Sequence, residues 1–284
     1  MGISMANASN DMPSNFGPLL KFWRNTHELS QEALALSADS STRHISCLEN
    51  GKSHPSRTMI DKLSEVLNLG ERDSCYLQLA AGYLPAAKFI DFHDPKYNWL
   101  KKAMILTLKA MDPFPAALMD RYGKLLMVNK GWIGFHRQVA SQAALDQAQN
   151  HYEFLFAHHQ EHTPSEVKKN TLALILMAMK QESLLSQDSN FADMFDALLA
   201  LPDVPSDWEK RAASLEPQAS FKVQMDINHV QQNFYSVSQM VGALGPTSFV
   251  SEPRLIINTL YPENPDLDLS QHMSDDLSHP LLAY

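Results

Sequence analysis

Between Leu29 and Lys52 the apolar residues fall at helical spacing in two short stretches, with Leu34 in the first and Ile45 and Leu48 in the second. Each stretch therefore buries one face and leaves the other free. Ser30 and Ser41 stand where a side-chain oxygen accepts hydrogen bonds from the first free amides of a helix. Gly51 stands where the left-handed conformation ends one. The pattern predicts two capped helices joined by a tight turn.

The same spacing continues. Ile60, Leu63, Val66, Leu67 and Leu69 make a further amphipathic helix soon after Pro55, and a helix running from Glu71 stops at Gly82 with Pro85 just beyond. Residues 1–15 show little periodicity and read as a mobile tail, and residues 86–96 read as a linker. A second domain is expected over residues 97–265, followed by a C-terminal tail over 266–284. Leu100, Met104 and Leu108 predict its first helix, and Pro115 to Asn129 reads as two short strands around Asp120-Arg121-Tyr122-Gly123, with Asn129 capping the next helix. Helices at about 150–160, 165–183 and 189–200 come next, then strands at 221–227, 233–241 and 254–261. The expected fold class is an all-α N-terminal domain of residues 16–85 plus an α+β domain, its antiparallel sheet covered by helices on one face.

The chemistry lies on the second helix. At 3.6 residues per turn, the side opposite Ile45 and Leu48 carries Arg43, Ser46, Cys47 and Asn50, with Thr42 at the amino-terminal edge. These groups are small or hydrogen-bonding. The DNA major groove, roughly 12 Å wide, admits a helix whose facing side chains are short or donate to base edges. Arg43 is the one side chain there able to grip guanine with two hydrogen bonds. A solvated helix in an ordinary bundle would share the pattern.

Residues 16 to about 70 resemble the Xre-type, lambda-repressor/Cro-like helix-turn-helix family, through Leu29-Ser30-Gln31-Glu32 and Ile45-Ser46-Cys47-Leu48-Glu49-Asn50-Gly51. The resemblance implies that Gln31, Asn50 and Lys52 hold phosphates while Thr42, Arg43 and Cys47 approach bases. Ser41, Ser46 and Arg57 complete the surface expected to meet double-stranded DNA. It also implies a structural pair between Arg24 and Glu49. The family's turn glycine is Asp39 here, which tolerates the left-handed region better than most residues.

The block Ser41 to Arg57, taken with Leu79-Ala80-Ala81-Gly82-Tyr83, is similar to one branch of that family, in which an MmyB-like, PAS-like ligand-binding domain follows. Asp112-Pro113-Phe114-Pro115, Val128-Asn129, Leu155-Phe156, Val237-Ser238-Gln239-Met240-Val241-Gly242 and Leu260-Tyr261-Pro262 carry the resemblance in the second domain. Two strands, several helices and then three strands is the PAS-like order. Such a fold commonly encloses an apolar cavity, and the resemblance implies a small apolar ligand such as a fatty acid. Leu155, Phe156, Leu172, Leu176, Met179, Phe195, Met225 and Phe234 supply a stock of adaptable apolar side chains for it. Plain core packing is the competing reading of each of them.

Composition adjusts this picture. With 284 residues, 44% of them hydrophobic, the chain has material for a sizeable core. Its longest strongly apolar run, Leu172 to Met179, is too short for a membrane span. No charged-then-apolar leader is visible at the amino terminus, and the two cysteines, Cys47 and Cys75, give no disulfide framework, so a cytoplasmic protein is expected. The net charge is -9, and even in the helix-turn-helix segment Lys21, Arg24, Arg43, Lys52, Arg57 and Lys62 are offset by nearby Asp and Glu, so DNA affinity has to come from a local cationic rim. A homodimer is expected, its recognition helices about one DNA turn, roughly 34 Å, apart.

His158-His159-Gln160-Glu161-His162 fits the inverted zinc-peptidase pattern H-x-x-E-H, yet Pro164 should end the helix that such a site needs. No catalytic residue, metal or cofactor is therefore expected, and a zinc hydrolase is the remote alternative. The nearer one is a constitutive repressor or interaction adaptor whose second domain only dimerises.

Overall fold

A computed structural model describes residues 15–83, 91–158, 165–186, 189–201, 204–216, 222–227, 230–241 and 255–284. Residues 1–14 of the expected amino-terminal tail and the zinc-like motif from His159 onward lie outside them. Two compact units divide the chain, the second beginning at Lys88.

Among the described residues the first unit has five helices: α1 (Phe16–Thr26), α2 (Gln31–Ser37), α3 (Thr42–Glu49), α4 (Arg57–Val66) and α5 (Glu71–Ala80). Their apolar stripes meet in one core of Phe16, Leu20, Leu34, Ile45, Leu48, Ile60, Leu63 and Leu77. The starts are set by side chains. Ser30 Oγ accepts from Ala33 N at 3.0 Å, Ser41 Oγ from His44 N at 3.1 Å, and Ser56 Oγ from Met59 N at 3.2 Å. Between α2 and α3 the chain turns through Asp39 at φ 49°, and Gly51 ends α3 at φ 67°. Helix α1 lies close against the end of α3, because a Cβ on Gly17 would sit 2.4 Å from Glu49 O and 2.7 Å from Leu48 O. Only glycine permits that approach.

The second unit contains α6 (Asn98–Met111), β1 (Ala116–Met119), β2 (Leu125–Val128), α7 (Lys130–His136), α8 (Gln142–Gln147), α9 (His151–His158), α10 (Ser165–Ser186), α11 (Ser189–Leu199) and α12 (Trp208–Ser214). Strands β3 (Lys222–Ile227), β4 (Val230–Val241) and β5 (Leu255–Pro262) follow. The five strands form one antiparallel sheet in the order β2-β1-β5-β4-β3. The register sets Leu118 opposite both Met127 and Ile257. Strand β1 is buried along its whole length. Leu118, with Leu255 and Ile257, packs against Leu100, Met104 and Leu108 of α6, while Ala117 packs against Trp132 and Ile133 of α7 on the opposite face. Helix α6 thus adds a cover on the face away from the helices inserted between β2 and β3.

Asn129 joins these layers. Its Oδ1 accepts from Trp132 N at 2.8 Å, capping α7, and from Ala116 N at 2.9 Å, while Nδ2 donates to Phe114 O at 2.8 Å.

Both expected boundary segments of this unit need correction. Within the expected linker, residues 84–90 lie outside the described residues, but Phe92 is buried in the core with Leu100, and Asp94 caps a short 3-10 helix, Pro95–Tyr97. Residues 266–284 are not a free tail. Leu269, Leu277 and His279 are buried, and Leu282 bridges to Val128 beside the sheet. The His279 Nδ1 accepts from Leu281 N at 3.0 Å, so Nε2 carries the proton and donates to Leu145 O at 2.8 Å. Tyr284 donates its hydroxyl to Asp112 Oδ2 at 2.5 Å. Buried side chains on an irregular segment leave no periodicity to read, which is why the pattern misses them.

Candidate functional site

In the first unit, Ser41, Thr42, Arg43, Asn50, Lys52 and Arg57 are exposed, and Gln31, Ser46 and Cys47 are half-buried. Thr42, Arg43, Ser46, Cys47 and Asn50 belong to α3 and its carboxyl cap. The opposite side of α3 is fixed by Ile45 and Leu48, which are 0% and 1% exposed. A short helix pinned along one side by its core residues presents the other as a rigid ridge, which groove recognition requires.

Besides the Ser41 cap, several of these residues make contacts within the fold. Gln31 Nε2 donates to Glu49 Oε2 at 2.7 Å, so the side chain assigned to phosphate also ties the start of α2 to the end of α3. Asn50 Nδ2 donates back to Ser46 O at 2.7 Å. The Arg57 guanidinium lies 4.9 Å from the centre of the Tyr83 ring, whose hydroxyl donates to Pro55 O at 3.0 Å. The expected Arg24–Glu49 pair is present, with Nε to Oε1 at 2.5 Å and Nη2 to Oε2 at 3.0 Å. Burial alone would raise the Glu49 pKa, but hydrogen bonds from Arg24 and Gln31, with the charges of Arg24 and Lys21, hold it below the usual carboxylate value. The hydrogen bond to Glu49 raises the Arg24 guanidinium above its own.

The second unit holds a cavity of about 540 Å³ between the sheet and helices α9, α10 and α11. Thr171, Ile175, Ala178 and Glu182 line it from one stripe of α10, and Ser236, Ser238, Met240, Ile256 and Asn258 line it from the sheet. Of the side chains expected to form a ligand site, Leu155 and Met179 face this space. The others need correction. Phe156, Leu172, Leu176 and Phe195 pack instead with Trp208 and Ala212 in a core among helices, and Met225 and Phe234 pack with Phe135 and Leu260. The long helix α10 is apolar on more than one side, so its spacing does not distinguish the stripe facing α11 and α12 from the one facing the cavity.

The polar side of the cavity was not legible as a site. Arg121 Nη2 pairs with Glu182 Oε1 at 3.2 Å, and the guanidinium lies 4.8 Å from the Phe191 ring centre. Asn258 Nδ2 donates to Ser236 Oγ at 2.9 Å and to Ser238 Oγ at 3.1 Å. Burial pushes the His151 imidazole down to about 4. The strand alternation over β4 and β5 is the signal that places Ser236, Ser238 and Asn258 together. Among the described residues no cluster of three or more acidic, histidine or cysteine side chains has metal-holding geometry, and no helix is long and apolar enough to cross a membrane.

Comparison with known proteins bears on the first unit. Residues 20–73 match the family model described as helix-turn-helix. Among solved structures, the crystal structure of ComR from Streptococcus suis is similar at 12% identity over 66% of this chain and 67% of that one, with a TM-score of 0.21. A likeness that loose says nothing about either unit. No curated protein matches the chain. The matched segment and the capped, core-pinned helix within it make residues 20–73 a helix-turn-helix domain, the DNA-binding module of transcriptional regulators.

Proposed function

We propose that the chain is a sequence-specific, cytoplasmic transcriptional regulator that binds its operator as a homodimer and responds to a small, apolar, acyl-chain ligand in the second unit. One observation supports the DNA-reading half most directly: Ser41 caps α3 so that Thr42 and Arg43 stand exposed at its amino-terminal end, opposite the buried Ile45 and Leu48. Recognition helices use that end to meet base edges. Arg43 would read a base, and Lys52 and Arg57 would neutralise phosphates beside it.

Support for ligand sensing comes from the cavity of about 540 Å³, which falls in the size range of small-molecule sites. The strand order β2-β1-β5-β4-β3, with helices inserted after β2, agrees with the PAS-like reading of this unit. A ligand would change operator affinity by as much as it prefers one arrangement of the paired heads over another. A constitutive repressor whose second unit only dimerises would have no use for the cavity.

Native mass spectrometry of the full chain, together with fluorescence anisotropy on duplex DNA across a salt series, tests the proposal. A dimer carrying a lipid-sized adduct and a steep loss of DNA binding with salt are expected. An empty dimer unaffected by added acyl compounds would favour the constitutive reading, and a chain that ignores DNA at low salt would defeat both.

A further inference from the structure

The cavity of the second unit adjoins a smaller chamber of about 40 Å³, and His151, Leu155, Val223, Ser236 and Asn258 line both. Trp132 and His136 close the chamber. On two of its lining residues, the buried nitrogens Trp132 Nε1 and His151 Nδ1 have no hydrogen-bond partner among the described residues. Trp132 is only 2% exposed. Buried polar groups are ordinarily paired, so two such nitrogens on one small chamber indicate a polar occupant. A single water needs roughly 10–15 Å³ on this measure. The chamber therefore has room for the oxygen and adjoining carbon of a ligand head, but not for a ring.

We infer that this chamber is a head-group subsite that selects an acyl-chain ligand ending in an uncharged oxygen, a hydroxyl or a carbonyl, over one ending in a carboxylate. The inference rests on the ligand-sensing reading above and specifies the ligand's class. Trp132 Nε1 can only donate, so it asks for an acceptor oxygen. Among the described residues no lysine, arginine or acidic side chain lines the chamber. Burial keeps the His151 imidazole neutral, and the His136 ring is turned with Nδ1 to Trp132 O at 2.7 Å. A carboxylate placed there would lose its hydration and gain no counter-charge. The cations of the larger cavity already have partners, Arg121 in Glu182 and Lys222 in Glu263. An acyl chain attached to the head would run along Leu155, Ile175, Met179 and Ile256.

Isothermal titration of the full chain at neutral pH with 1-decanol and with decanoate, two probes of equal chain length, tests the inference. Decanol should bind about tenfold more tightly than decanoate, and Trp132→Phe should weaken decanol by about tenfold while leaving decanoate unchanged. Circular dichroism checks that the variant is folded, and the wild-type comparison decides even where it is not. Equal affinities, or tighter binding of decanoate, would overturn the head-group selection and leave ligand sensing standing. Binding of neither probe would remove the sensing reading and this inference with it.

Discussion

Arg24 and Glu49 face each other across the first unit with two hydrogen bonds, 2.5 Å and 3.0 Å long, at a point where both residues are almost wholly buried. Arg24 Nη1 also donates to Leu29 O at 2.8 Å, and Gln31 donates to the second Glu49 oxygen. The network joins α1, the start of α2 and the end of α3, and so sets the angle at which α3 is presented. Removing one partner leaves the other charge buried and unpaired. Arg24→Ala should destabilise the protein by about 3 kcal/mol in urea titration, and the Arg24→Ala/Glu49→Ala double variant by less than the sum of the two single changes.

The same pair has a pH signature. Because the folded-state pKa of Glu49 lies below its unfolded value, its contribution is fully present above the unfolded value and is lost as pH falls through the folded one. Stability followed by urea titration down an acid series should therefore decline less steeply in Glu49→Gln than in the wild type.

His151 responds at milder pH. Burial lowers its folded pKa to about 4, so the unfolded chain binds this proton first. Stability from the neutral imidazole is present above the unfolded value, roughly 6.5, and declines as pH falls toward 4. His151→Leu should flatten the stability profile across that window. A variant profile parallel to the wild type would place the imidazole in water.

Much of the first unit was readable because its determinants are local. A serine before an apolar stripe caps a helix, Asp39 and Gly51 tolerate positive φ, and the periodicity of Ile45 and Leu48 fixes the buried side of α3. The second unit was readable only as an order of elements. Helices α8 and α12 are six and seven residues long, too short for a firm period. Which stripe of α10 meets the cavity depends on what packs against it, so Leu172 and Leu176 looked as suitable for a ligand as Ile175 and Ala178. The motif points Gln31 and Asn50 at phosphate, and nothing local in it signals that each also bonds within the fold, Gln31 to Glu49 and Asn50 to Ser46.

The C-terminal stretch gives a prediction opposite to the one its sequence suggests. His279 bridges Leu145 O and Leu281 N, and its ring lies 5.5 Å from that of Trp132. His279→Ala would take away the acceptor of the Leu281 amide and the packing of the ring, and should cost about 2 kcal/mol. Limited proteolysis should then cut the second unit faster while the helix-turn-helix domain keeps its resistance.

The central claim is that the exposed side of α3 reads bases, and the most direct measurement is the affinity of wild type, Arg43→Ala and Lys52→Ala for a duplex selected from a random pool and for an unselected one. Arg43→Ala is predicted to lose about 1–3 kcal/mol on the selected duplex and much less on the other, whereas Lys52→Ala is predicted to weaken both alike and to lower the salt slope by about one. Equal losses for the two variants on both duplexes, or no selectable sequence at all, would contradict the account.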